Sequence, residues 1–124
     1  MKNINLILFL LFFNFYTNSS SSQNIVINEV LASNTSMNTD EDGDYHDWVE
    51  LYNTGTTTLN LLGYGLTDDS SEPFKWLFPN VSINPGQYML IWCSDKNKTN
   101  PNSALHTNFK ISSKGEVITL THTT

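Results

Sequence analysis

The stretch "NTDEDGDYHDWVELYN", residues 38–53, places six carboxylates within thirteen positions: Asp40, Glu41, Asp42, Asp44, Asp47 and Glu50. A frame that starts at Asn38 puts side-chain oxygens at Asn38, Asp40 and Asp42, a glycine at Gly43 and a further acid at Asp44. This is the spacing of the first half of a calcium loop. Alternate carboxylates on a turning backbone aim oxygens inward, and the glycine permits the bend. The twelfth position of the frame is Val49, with Glu50 one place late, and no helical pattern flanks the stretch, so it is not an EF-hand. Asp40, Asp42 and Asp44 are the candidate ligands for Ca²⁺, with Asp47 or a backbone carbonyl completing the shell. The competing reading is a solvated loop whose charges keep the surface soluble.

The same carboxylates are weighed for catalysis. Glycoside hydrolysis needs two carboxyl groups facing each other across a sugar, about 5–9.5 Å apart. Glu29, Asp47 and Glu50 lie in strand-like segments and are the only pairing worth testing, but nothing in the sequence supplies an acid, a base and a cleft together. His46, His106 and His122 are far apart with no zinc spacing. The single cysteine, Cys93 in "YMLIWCS", forms no internal disulfide and reads as a buried thiol. No catalytic residue and no organic cofactor is assigned.

The elements that would position these groups are strands. "NIVINEVLA" (24–32) alternates with Ile25, Ile27 and Glu29 on one face and Val26, Asn28 and Val30 on the other. "DWVELYN" (47–53) sets Trp48, Glu50 and Tyr52 against Val49 and Leu51. "TTTLNLLGYGLTDD" (56–69) holds two short strands around Gly63, and "KWLFP" (75–79) and "VSI" (81–83) follow. "NPGQ" (84–87) is a Pro-Gly turn, "QYMLIWC" (87–93) an apolar strand expected to be buried on both faces, and "NSALHTNFKIS" and "GEVITLTH" close the chain. Turn signals every 8–12 residues with no helical period predict an all-β sandwich or barrel. The aromatic residues are mostly core. Phe74 and Trp76, after the loop "DDSSEP", are the candidates for an exposed binding face.

Residues 1–22 have a different composition. Lys2, the apolar run "INLILFLLFFNFY" (4–16) and the small residues of "TNSSSSQ" form the three-part layout of a signal peptide, with cleavage expected near Ser22 or Gln23. The run is shorter than the ~20 residues of a membrane span. The expected location is secreted or cell-surface, with no membrane contact beyond the signal. Residues 23–124 carry five lysines, no arginine and twelve acids, a side-chain charge of −7. That balance argues against nucleic acid and against docking on anionic lipid. Asn-x-Ser/Thr triplets at Asn18, Asn34, Asn80 and Asn97 would accept glycans only in a eukaryotic secretory pathway.

Five motifs in order, "INEVLASN", "DWVELYNTG", "LNLLGYGLTDD", "KWLFPNVSINPGQYMLIW" and "LHTNFKISSKGEVITLT", resemble the lamin tail domain in its secreted bacterial branch, over residues 25–121. The resemblance implies an immunoglobulin-like β-sandwich without a catalytic centre. It implies an accessory module of the kind found beside nucleases, kinase-like spore-coat domains and adhesins. It also implies one strand more than this chain has after "ITLT", so the sandwich is expected to lack its last strand, as a C-terminally truncated piece would, leaving an edge open to pairing. The leading expectation is a non-catalytic module that binds a protein or a surface glycan. The alternatives are the N-terminal accessory domain of a longer secreted nuclease or kinase-like enzyme, and a carbohydrate-binding module.

Overall fold

The computed structural model describes residues 24–123, so the expected signal peptide at 1–22 lies outside the described residues. Nine strands follow in chain order: β1 Ile25–Leu31, β2 Asp47–Asn53, β3 Leu59–Asn60, β4 Tyr64–Thr67, β5 Trp76–Leu77, β6 Ser82–Ile83, β7 Tyr88–Cys93, β8 Leu105–His106 and β9 Thr119–His122. There is no helix among the described residues. One sheet has the order β1-β2-β7-β8. Facing it are β5-β4-β9 and the small pair β3-β6. The result is an immunoglobulin-like β-sandwich. Every strand pair is antiparallel except β7–β8, which is parallel.

One hydrophobic core lies between the layers. The four-stranded sheet contributes Ile25, Val49, Leu51, Ile91, Cys93 and Leu105, and the opposite layer contributes Leu61, Tyr64, Leu66, Trp76, Phe78 and Ile83. Alternation in β2 produces its half of this arrangement. Val49, Leu51 and Asn53 are buried on the inner face, while Glu50 and Tyr52 are half-exposed on the outer one. Asn53 is tolerated in the interior because its amide donates to the carbonyls of Thr57 and Ile83, at 2.9 Å each, and its Oδ1 accepts the Gly55 amide. Burial pushes the Cys93 thiol up to about 12, consistent with an inert core side chain.

Three sequence expectations change. In β1 the register shifts between Ile27 and Glu29, so Asn28 is an extra residue opposite Glu50. A bulge resets the two-residue alternation. Glu29 therefore joins Val26 on the outer face, and Val30 pairs with inward-facing Val49. Second, β7 is buried on both faces only over Ile91–Cys93, because its first residue, Tyr88, is 57% exposed. Third, Trp76, expected with Phe74 on an exposed face, is buried. Trp76 is 2% exposed in the core, edge-on to Phe78 at 4.9 Å between centroids, and Phe74 is half-buried against Gly65. A loop after "DDSSEP" does lead into β5, but its pairing to β4 turns Trp76 inward, beside Leu66, and leaves Leu77 exposed.

Gly65 is required by that packing. A Cβ there would lie 2.7 Å from Phe74 Cδ1, 2.9 Å from Phe74 Cα and 3.0 Å from the Pro73 carbonyl oxygen. Two of those three contacts are backbone and cannot move aside. Gly65→Ala is therefore expected to destabilise the domain by about 1–3 kcal/mol, the usual cost of overpacking. The check is the urea midpoint at constant m-value, and an unchanged midpoint would contradict the packing described.

Candidate acidic loop and the face beside it

The segment between β1 and β2 is held at both ends by Asn34. The Asn34 amide nitrogen donates to Asp47 Oδ1 at 2.7 Å, its Nδ2 donates to the carbonyls of Asn38 and His46, and its Oδ1 accepts the Met37 amide. Within that frame Asp40 makes the turn. Its Oδ1 accepts the amides of Asp42 and Asp44, at 3.0 and 2.9 Å, and its backbone N–H donates to the Asp44 carbonyl. Gly43 completes the bend at φ 84°, a conformation glycine adopts without strain. The turning loop expected from "DEDGD" is present.

Its cation is part of the chain. Lys96 Nζ donates to Asp40 Oδ2 at 2.5 Å, Asp42 Oδ2 at 2.7 Å and Asp44 Oδ2 at 3.1 Å. Lys98 Nζ donates to Glu41 Oε1 at 2.7 Å and Asp42 Oδ2 at 2.9 Å. Two backbone bonds aim these lysines. The Asn97 amide donates to the Thr107 carbonyl, and the His106 amide donates to the Lys98 carbonyl. Asn97 accommodates the left-handed φ of 49° that this hook needs, as asparagine does more readily than most residues.

The charge environment follows from the contacts. Burial pushes the Asp40 carboxyl upward, but its bonds from Lys96 and from the Asp44 and Asp42 amides outweigh this and hold it down at about 2. Lys98 and then His106 hold Glu41 down at about 2. Lys96 and Lys98 hold Asp42 below the usual carboxylate range. Asp40 and then Asp42 hold the Lys96 ammonium above its usual range.

The loop also reaches the outer face of the large sheet. There the register aligns Leu31, Trp48 and Trp92 across β1, β2 and β7, with His106 on β8. Trp48 and Trp92 point away from the core, yet each is only 6% exposed. His106 is fully buried. Its Nδ1 shares a 2.7 Å hydrogen bond with Ser94 Oγ, and its Nε2 lies 2.9 Å from Glu41 Oε2. Glu41 thus anchors the acidic loop over this end of the sheet. A serine, a histidine and a glutamate in one chain of hydrogen bonds has the composition of a hydrolase triad. Ser94 is itself 4% exposed and accepts the Lys96 amide, so this chain ties loops together and presents no nucleophile.

Of the carboxylates weighed for catalysis, the register sets Glu29 opposite Glu50 on the outer face, where Glu50 accepts Asn28 Nδ2 at 2.9 Å, while Asp47 faces the other side of β2, tied to the Asn34 amide. Asp40, Asp42 and Asp44, the residues considered for calcium, do converge, on the point that Lys96 Nζ occupies. Sequence reasoning missed Lys96, Lys98, His106, Ser94 and Asn34. The available signal was "KNK" (96–98): two of only six cations in the chain, two residues apart.

A family model described as Lamin Tail Domain matches residues 18–124. The chain belongs to the lamin tail domain family. No curated protein and no solved structure matches it. In this lamin tail domain Asp40, Glu41, Asp42 and Asp44, paired with Lys96 and Lys98, form an ion-paired clamp on the sandwich.

A carboxylate held below its unfolded value contributes stability that is complete above about pH 4 and is lost as pH falls through the folded value. For Asp40 the window runs from about 4 down to about 2. Asp40→Asn is expected to cost about 2 kcal/mol at pH 7, the scale for a hydrogen bond to a charged group. The gap from wild type should close between pH 4 and pH 2. Melting temperatures of both proteins across that range provide the check, and a gap independent of pH would contradict the pairing.

Proposed function

We propose that this lamin tail domain is an exported, non-catalytic binding module that attaches to a protein or surface through the outer face of its four-stranded sheet. The observation that carries the reading is the contrast between the two ends of that face. At one end Trp48, Trp92 and His106 are buried, and Glu41 of the acidic loop meets His106. At the other, Val26, Tyr52 and Tyr88 align across β1, β2 and β7, with the two tyrosine rings stacked at 4.5 Å and Tyr88 57% exposed. An exposed aromatic pair on a rigid sheet offers contact area at low entropic cost. The apolar N-terminal run supports export. The test is retention of the labelled protein on intact cells of its own source. Tyr88→Ala is expected to lower retention about fivefold or more, the scale of an aromatic contact residue, with an unchanged melting temperature. Equal retention would contradict the reading.

Calcium enters the same proposal as a competitor of Lys96. The Oδ2 atoms of Asp40, Asp42 and Asp44 meet at one point, as oxygens around a hard cation do, so the residues fit the ion once the ammonium leaves. Lys96→Met should gain a rise in melting temperature of several degrees in about 5 mM calcium, a concentration that fills weak extracellular sites. Wild type should rise less. Equal responses, or none in the variant, would remove calcium from the proposal.

A further inference from the structure

The open end of the outer face carries an electrostatic conflict. The register sets Glu29 directly opposite Glu50, and the bulge at Asn28 brings Glu29 onto the outer face that Glu50 already occupies. Like charges directly opposite each other across two strands are destabilising. Among the described residues every ion pair is made by Asp40, Glu41, Asp42, Asp44 or Asp68, and none reaches Glu29 or Glu50. The one polar contact Glu50 makes to a side chain is the neutral amide of Asn28. One row along the strands, roughly 6–7 Å away by strand geometry, lies the row of Val26, Tyr52 and Tyr88.

We propose that this face binds an arginine-bearing basic segment of a protein partner, with the guanidinium between Glu29 and Glu50 and neighbouring planar or aliphatic groups on Tyr52 and Tyr88. The proposal rests on the binding-module reading above and names its ligand chemistry. A guanidinium is planar, bonds carboxylates with two parallel N–H groups and stacks on aromatic rings, so it fits both halves of the surface. It would also relieve the repulsion between the two glutamates. The chain has no arginine to supply such a group to another copy of itself. Three of its six lysines, Lys75, Lys96 and Lys98, are already held by acids. The occupant this chemistry fits is a different, basic protein, which the net charge of −6 would draw in from a distance.

The test titrates the ¹⁵N-labelled full chain with a short Gly-Arg-Gly-Arg-Gly peptide and with the same peptide carrying citrulline, which keeps the shape and removes the charge. The arginine peptide should shift the amides of Val26, Glu29, Glu50, Tyr52 and Tyr88. The citrulline peptide should bind about tenfold more weakly or worse. The double variant Glu29→Gln, Glu50→Gln should lose affinity by a similar factor. Its melting temperature should be equal to or above that of wild type, because the repulsion is gone, and this separates a binding role from a structural one. Shifts confined to residues 40–44, equal binding of the citrulline peptide, or unchanged affinity in the double variant would each overturn the proposal. If the peptide moves nothing while Tyr88→Ala still lowers retention on cells, the arginine chemistry fails and the binding-module reading stands.

Discussion

The arrangement at one end of this sandwich depends on a carboxylate removed from water. The Asp40 side chain has no exposed surface, and an unpaired charge in that position would cost several kcal/mol. Both oxygens are therefore committed. Oδ1 takes two amides of its own loop, which fixes the turn, and Oδ2 takes the ammonium of Lys96, 56 residues away in sequence. The first commitment shapes the segment between β1 and β2, and the second brings the segment after β7 against it. Asp42, Asp44, Glu41 and Lys98 extend the pairing around this centre, where more exposure makes each individual contact weaker.

This clamp divides the outer face of the four-stranded sheet. At one end Trp48, Trp92 and His106 are buried, and Glu41 links the acidic loop to His106. Beyond it the sheet is open and carries tyrosines and glutamates without cations. The two acidic groups at this face are thus physically different. Asp40, Glu41, Asp42 and Asp44 share Lys96 and Lys98 and tie their loop to the scaffold. Glu29 and Glu50 have no internal counter-ion among the described residues. Acid content alone does not distinguish them, because what separates them is whether a lysine is positioned to reach.

Much of the scaffold was legible in the sequence because its signals are local. The two-residue alternation of β2 reads directly from "DWVELYN", the Pro-Gly turn before β7 from "NPGQ", and the bend at Gly43 from the acidic repeat. The order of the five motifs carried the family, and the family carried the sandwich. The clamp was not legible. Its partners lie 52 to 57 residues apart, and no periodicity encodes which loop lands on which. The bulge in β1 was invisible for a related reason. One inserted residue leaves composition unchanged while exchanging the faces of every side chain that follows, so Glu29 was first assigned to the wrong side. Trp76 was misplaced because the loop before it suggested exposure, whereas its position is set by packing against Phe78 and the pairing of β5 with β4.

The most direct measurement of the central claim is amide hydrogen exchange at Asp42 and Asp44, whose N–H groups both donate to Asp40 Oδ1. In the folded chain near neutral pH, both amides should exchange at least about tenfold more slowly than in an unstructured peptide, as locally hydrogen-bonded groups do. That protection should disappear in Asp40→Ala while the β2 and β7 amides stay protected. Exchange at free-peptide rates in the folded wild type would mean that the carboxylate does not organise the loop, and the clamp would not exist.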